Sequence, residues 1–137
     1  MSDDDFVFRH RLAVRFSDCD MMGHVNHAVY FSYFEQCRFM WWRHLGGTTG
    51  LPGVSTVIVH AECDYHAPAF LHDELEIRLK LDRIGRTSVT LAYQVVNAAT
   101  GDRVAAGKTV NVTRDPKTHE TIPVPDGTRA LLERGNP

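Results

Sequence analysis

Acidic, polar and glycine residues cluster near the start of the chain, in the segment Asp18-Cys19-Asp20-Met21-Met22-Gly23-His24-Val25-Asn26-His27. A long apolar stretch with helical spacing follows directly. The first turn of a helix carries unpaired backbone N–H groups and a partial positive charge, so it stabilises an anion. A carbonyl placed there could develop negative charge on its oxygen while a neighbouring carboxylate activates water or attacks the carbonyl carbon. The pattern suits acyl-group hydrolysis, but the residues would serve equally well as a turn and a helix cap.

The stretch after this cluster predicts one long helix over Ala28–His44. No Gly or Pro occurs between Asn26 and His44. Apolar residues recur there every three or four positions, as expected for one face of a helix. This apolar stripe consists of Tyr30, Phe34, Cys37, Trp41 and Leu45. Because the other faces also carry aromatic residues, we expect a sheet to cover much of the helix.

The remaining segments predict strands. The first strand is expected within residues 6–16, and Glu74–Asp82 alternates polar and apolar residues without an exception. The other predicted elements are strands at Val54–Tyr65, Thr87–Val96 and Arg103–Arg114 and a short helix at Asp126–Glu133. This order favours an α+β fold, with an antiparallel sheet in which the last four strands follow one another as hairpins.

Length and composition favour one ordinary domain. A chain of 137 residues with 43% hydrophobic residues can bury one core, so we expect a single domain over residues 1–137 with a short frayed tail at each end. No apolar run is long enough to cross a bilayer and the first residues resemble no secretory leader, so we expect a cytoplasmic protein with no membrane partner. The net charge of −2 argues against nucleic acid as a partner.

Other chemistries have weaker support. His24 and His27, with two aspartates nearby, could bind a metal, and Cys19 could act as a nucleophile. The spacing at a helix start favours neither, so we expect no metal. Neither of the glycine motifs that bind nucleotide phosphates and dinucleotides occurs, so we expect no cofactor.

The chemical segment resembles a known family. Arg15-Phe16-Ser17-Asp18-Cys19-Asp20, then Gly23-His24-Val25-Asn26-His27, then Tyr30, Tyr33 and Glu35, are similar to the signature of the 4-hydroxybenzoyl-CoA thioesterase-like acyl-CoA thioesterases. The likeness continues through Asp64-Tyr65-His66-Ala67-Pro68-Ala69 and extends from about residue 10 to about residue 115. It implies hydrolysis of an acyl-CoA to the free acid and CoA. It also implies a hotdog fold, in which a five-stranded antiparallel sheet wraps around one long central helix.

The resemblance also implies roles for individual residues. The second aspartate of the Asp-x-Asp pair, Asp20, falls on the catalytic carboxylate. The backbone N–H of His27 falls on the group that polarises the thioester carbonyl, and Gly23 lets the loop bend beneath the substrate. Asp18 is expected to hold that loop in shape. The substrate-binding candidates are Asn26, Tyr30, Glu35 beside the acyl pocket, and Arg86, one of several basic residues that could meet CoA phosphates.

Some choices stay open. At positions 24, 26 and 27 the chain has His-Val-Asn-His in place of the apolar and aromatic residues of the narrow hydroxybenzoyl-specific pattern, so the acyl group is not fixed. The His-Val-Asn form also resembles acyl-carrier-protein thioesterases, and the same fold can serve as a non-catalytic acyl-thioester-binding module. Since one copy would leave a sheet edge uncovered, we expect a homodimer or homotetramer with the acyl pocket between subunits.

Overall fold

A computed structural model describes residues 5–48 and 50–135 of the chain. The tails expected to fray lie mostly outside these residues, at 1–4 and 136–137. The described elements are β1 (Phe8–Ala13), a 3-10 turn (Phe16–Asp18), α1 (Val29–His44), β2 (Ser55–Tyr65), β3 (Glu74–Ile84), β4 (Ser88–Asn97), β5 (Arg103–Arg114) and α2 (Asp126–Arg134). The predicted α+β class is confirmed.

The five strands form one antiparallel sheet in the order β1-β3-β4-β5-β2. The sheet itself is as predicted, but the expected hairpin succession from β2 onwards is wrong. β3, β4 and β5 are successive hairpin partners, whereas β2 pairs with β5 at the far edge. Strand patterns record which face of a strand is buried and carry no label for its neighbour, so the periodicity could not place β2.

Helix α1 lies on one face of the sheet, against β1, β2 and β3. The predicted apolar stripe is buried along its whole length, from Tyr30 to Leu45. The opposite side of the helix is not covered within one chain, because Phe31 and Phe39 remain partly exposed. With 16 residues, α1 is about 24 Å long.

Helix α1 packs closely on the sheet at a glycine. The ring of Phe34 stacks on that of Tyr93 with centroids 4.5 Å apart. Beneath this pair, Gly107 of β5 leaves no room for a side chain, since an added Cβ would lie 2.6 Å from the ring of Phe34 and still closer to the carbonyl oxygen of Glu62. The glycine therefore sets the height at which α1 rests on the sheet.

Replacing this glycine tests the packing. We expect Gly107→Ala to lower the free energy of unfolding by about 1–3 kcal/mol, the usual effect of overfilling a close-packed core. Urea unfolding followed by circular dichroism measures the change. Gly127→Ala is the matched control, because a Cβ at this α2 position meets nothing within 4 Å and alanine favours a helix. Equal stability of the two variants would contradict this account of the packing.

Candidate active site

A tight turn presents Asp20 between β1 and α1. The backbone N–H of Gly23 donates to the carbonyl oxygen of Asp20 at 3.1 Å, and that of Met22 donates to the Asp20 side-chain oxygen Oδ1 at 2.9 Å. Gly23 has a φ of +86°, a conformation that favours glycine. The hydrogen bond from Met22 to Oδ1 fixes the orientation of the Asp20 side chain within the turn. It thereby also fixes the direction of the other carboxylate oxygen, Oδ2.

Asp18 fastens this turn to the helix. Its carboxylate is 3% exposed and accepts hydrogen bonds from the Arg15 backbone N–H, from the Arg15 guanidinium at 3.0 Å and from the Tyr33 hydroxyl at 2.9 Å. Burial alone would raise the pKa of Asp18, but the hydrogen bonds from Arg15 and Tyr33 outweigh it and hold the pKa below its usual value. The Asp18 carbonyl oxygen also accepts the backbone N–H of Asn26. Asp18 therefore holds the loop, as predicted.

The segment between β2 and β3 closes the loop from the other side. The backbone N–H of Val25 donates to the carbonyl oxygen of Ala69 at 2.9 Å, and His24 forms an isolated bridge with Phe70. Since β2 and β3 lie on opposite sides of β4 and β5, this segment must run across the end of the sheet. It thereby brings residues 65–68 to the loop that carries Asp20.

A cavity of about 370 Å³ opens where these segments meet. Its walls are formed by Asp20, His24, Val25, His27, Tyr30, Tyr65, His66, Ala67 and Pro68. Asp20 is 27% exposed there, and its Oδ2 lies 3.9 Å from Nδ1 of His24. The cavity thus places a partly solvated carboxylate beside imidazole rings and an apolar floor.

A free backbone donor lies two residues before α1, at His27 in the cavity wall. Within the described part of the chain, the N–H of His27 has no hydrogen-bond acceptor, whereas the next N–H, that of Ala28, donates to Oδ1 of Asn26 at 3.0 Å. The Tyr65 hydroxyl donates to the carbonyl oxygen of His27 at 2.7 Å. His27 is therefore held from its carbonyl side while its N–H stays available to a ligand.

Tyr30 and Tyr65 form part of the cavity wall, and the hydroxyl groups of both have raised pKa values. The rings of Tyr30 and Tyr65 meet edge to face with centroids 5.3 Å apart, and Tyr30 meets Tyr33 in the same way. Burial raises the pKa of Tyr30 to about 12, with a smaller effect from Cys63. Burial also raises the pKa of Tyr65. Both hydroxyls therefore stay protonated at neutral pH, and Asp20 is the one carboxyl residue among those that line the cavity.

The structure brings some of the predicted site residues together in one cavity and places others elsewhere. Asp20, His27 and Tyr30 line the same cavity, while Gly23 supplies the turn below them. Asn26 bonds to its neighbours in the chain. Glu35 lies on the wall of another, larger cavity, and its side chain is 76% exposed. Arg86 has an exposed side chain at the β3–β4 turn, outside the walls of both cavities.

Two tyrosines were not predicted for the roles they have. Tyr65 fixes His27 from 38 positions away, and Tyr33 anchors Asp18. Both were present in the family signature, which was the available signal, but neither spacing nor periodicity indicates a contact between distant segments. Among the described residues, no group of three or more His, Cys, Asp or Glu side chains is placed to hold a metal ion.

The amino-acid sequence matches a known family and several of its relatives. A family model described as the thioesterase-like superfamily matches residues 14–132. A 1,4-dihydroxy-2-naphthoyl-CoA hydrolase of Synechococcus sp. strain CC9605 is 32% identical over 136 residues, covering 88% of this chain and 85% of that protein. The Bacillus subtilis protein YsmA is 35% identical over 88 residues, which cover 64% of this chain and 60% of YsmA.

A solved structure agrees over nearly the whole chain. A thioesterase from Thermus thermophilus, complexed with coenzyme A and Zn, superposes with a TM-score of 0.85 at 30% identity. The superposition covers 96% of each chain. No helix of the described residues is long and apolar enough to span a membrane.

The stabilisation that the Asp18 carboxylate provides depends on pH. Because the folded pKa lies below the ordinary value of 3.8, the stabilisation is complete above pH 3.8 and fades as the pH falls through the folded pKa. We expect Asp18→Asn to lower the free energy of unfolding at pH 7 by about 1–3 kcal/mol, as for a lost charge-assisted hydrogen bond. The difference in free energy of unfolding between the wild type and Asp18→Asn should narrow below pH 3.8.

Urea unfolding of both proteins between pH 7 and pH 2.5 checks this expectation. Asp102→Asn, at an exposed carboxylate in the β4–β5 turn, serves as the control and should show no comparable gap. A gap for Asp18→Asn that is the same at every pH would mean that the charge of Asp18 is not what anchors the loop.

Proposed function

Because the chain belongs to the thioesterase-like superfamily, we propose that it hydrolyses an acyl-CoA thioester to the free acid and CoA, with Asp20 as the central catalytic group. The membership confirms the predicted family resemblance and, at the level of the family, the predicted class of thioester hydrolase. The catalytic assignment is supported by two observations: Asp20 and His27 line one cavity, and the His27 N–H has no acceptor among the described residues.

The mechanism follows from this juxtaposition. The thioester carbonyl oxygen accepts a hydrogen bond from the His27 N–H, and the partial positive charge at the start of α1 adds to the polarisation. As the carbonyl carbon is attacked, the oxygen becomes an oxyanion, and a donor in this position is typically worth about 3 kcal/mol of transition-state stabilisation. Collapse of this intermediate breaks the C–S bond, and CoA leaves as the thiolate.

Asp20 supplies the attack by one of two routes. As a general base it takes a proton from a water that adds to the carbonyl carbon. As a nucleophile it forms a mixed anhydride, which water then hydrolyses. The general-base route places a water oxygen in the acid. The nucleophilic route places an Asp20 oxygen in the first-turnover acid when water attacks the Asp20 carbonyl carbon of the anhydride, and a water oxygen when it attacks the acyl carbon.

A second copy of the chain would complete the cavity. The Asp20 loop exposes Phe16, Met21 and Met22, which are apolar residues without cover in one chain. The edge strand β2 likewise exposes Val57 and Val59. Contiguous exposed apolar surface and a long open sheet edge are both features that association removes. In such a homodimer the uncovered side of α1 would be enclosed, as the hotdog fold requires of its central helix.

The remaining substrate-binding candidates depend on this assembly. Glu35 and Arg86 do not reach the Asp20 cavity of their own chain, so we assign them to the acyl end and to the CoA phosphates across the subunit boundary. Arginine suits phosphate because its planar guanidinium can donate two parallel hydrogen bonds.

Removal of the catalytic carboxylate is the direct test. Asp20→Asn keeps an oxygen for the Met22 N–H, so the turn should persist. We expect the rate of CoA release to fall at least about a hundredfold, the usual cost of losing a general acid–base group. The assay uses aromatic, short, medium and long acyl-CoAs and acyl-carrier-protein thioesters, so that it also identifies the acyl class and the carrier.

Asp102→Asn is the control for charge and should retain wild-type turnover. Undiminished turnover in Asp20→Asn would remove Asp20 from the mechanism. Binding of acyl-CoA without turnover on any substrate by the wild type would instead favour the non-catalytic acyl-thioester-binding module.

The assembly can be tested at the edge strand. Val59 of β2 is 60% exposed and lies at the register shift between Ile58 and His60. We expect Val59→Lys to shift the protein from dimer to monomer in light scattering coupled to gel filtration, because a charge opposes edge-to-edge pairing. Val7→Lys, beside the opposite sheet edge, is the matched control. A monomeric wild type, or a dimer unaffected by Val59→Lys, would contradict pairing through β2.

A further inference from the structure

The direction of the His27 N–H is not fixed by regular helical hydrogen bonds. His27 precedes α1, which begins at Val29. The N–H of Phe31, four positions after His27, donates to the carbonyl oxygen of Ala28 at 3.3 Å and not to that of His27. A donor to an oxyanion must be placed accurately, since an error of about 1 Å can lower a rate about a hundredfold. Other contacts must therefore hold the peptide groups around His27.

The chain on either side of His27 supplies only part of this support. The N-cap of α1 is Ala28, with φ −70° and ψ −24°, and alanine has no side chain that could cap a helix. Asn26 takes over some of this role. Its Oδ1 accepts the Ala28 N–H at 3.0 Å, and its carbonyl oxygen accepts the Val29 N–H at 2.9 Å. The second of these bonds holds the peptide group that carries the His27 N–H.

Tyr65 holds the other peptide group of His27 from the end of β2. Its hydroxyl donates to the His27 carbonyl oxygen at 2.7 Å, the usual length of a good O–H···O hydrogen bond. This carbonyl and the Ala28 N–H belong to one peptide group, so Tyr65 and Asn26 hold that group at both ends. Because the peptide groups on both sides of His27 are then held, its N–H has a fixed direction.

The Tyr65 side chain is itself held in place. Its backbone pairs with Ala105 of β5. Its ring meets the rings of Tyr30 and His27 edge to face, with centroids 5.3 Å and 6.4 Å away. The thiol of Cys63, two positions earlier on β2, lies beside its hydroxyl. Since burial raises the pKa of Tyr65, the hydroxyl keeps its proton at neutral pH and remains a donor.

We propose that Tyr65 is a positioning residue of the thioesterase reaction, whose hydroxyl locks the His27 carbonyl so that the His27 N–H keeps the direction that the oxyanion requires. This role rests on the proposed function. Tyr65 acts through His27 and transfers no proton. Its effect is therefore largest in the transition state, where the negative charge on the thioester oxygen develops, and small for the binding of substrate.

Tyr65→Phe tests this role, because it removes the hydroxyl and keeps the ring. We expect kcat for acyl-CoA hydrolysis to fall at least about tenfold, which is less than the 10²–10³-fold cost of losing an oxyanion donor outright. KM should stay nearly unchanged, the pattern of an interaction made only in the transition state. The pH profile of kcat should keep its shape. Because Tyr65 is 46% exposed, water can replace the hydroxyl, and the free energy of unfolding should change little.

Tyr93→Phe is the matched control. It removes a hydroxyl that lies in the core, where it accepts a hydrogen bond from Arg38 at 3.1 Å and lies 2.8 Å from Oγ1 of Thr109. We expect the opposite pattern, with a lower free energy of unfolding in urea and a kcat near that of the wild type. The ¹⁵N relaxation of the His27 amide gives a readout that does not depend on turnover. Its order parameter should fall in Tyr65→Phe and not in Tyr93→Phe.

Four outcomes would overturn the Tyr65 role alone: wild-type kcat in Tyr65→Phe, a change confined to KM, an equal loss of kcat in Tyr93→Phe, or an unchanged order parameter at His27. Disappearance of one limb of the pH profile in Tyr65→Phe would also overturn it, because Tyr65 would then transfer a proton. A wild type that hydrolyses no acyl-CoA would instead overturn the proposed function and this role together.

Discussion

The buried Asp18 carboxylate is the interaction on which the site depends. It joins the loop, through Arg15, to the helix, through Tyr33. A carboxylate removed from water is costly unless several donors surround it, and here the donors come from both structures that must be aligned. These hydrogen bonds therefore stabilise the arrangement in which the turn that bears Asp20 lies at the start of α1.

Two aspartates two positions apart thus have different environments and different roles. Asp18 is enclosed by donors and serves the fold. Among the described residues, the Asp20 side chain accepts one backbone hydrogen bond, from Met22, and it lines the cavity. The same division appears along α1. Its buried stripe rests on the sheet, its first residues bound the Asp20 cavity, and its uncovered side forms a wall of the larger cavity.

The features that sequence predicted well are those with a local cause. The spacing of Tyr30, Phe34, Cys37, Trp41 and Leu45 located α1 to within one residue of its start, and the alternation in Glu74–Asp82 located β3. The position of β2 was missed because pairing between distant strands leaves no local mark. The role of Tyr65 was missed for the same reason, since its hydrogen bond to His27 joins segments 38 positions apart in sequence.

The central claim is that the His27 N–H and Asp20 face one thioester carbonyl. A crystal structure of Asp20→Asn with a bound acyl-CoA tests it most directly. The account predicts the carbonyl oxygen at hydrogen-bonding distance from the His27 nitrogen, about 2.7–3.2 Å, with the side chain at position 20 beside the carbonyl carbon. A thioester held elsewhere on the protein, with the His27 N–H still unoccupied, would contradict it.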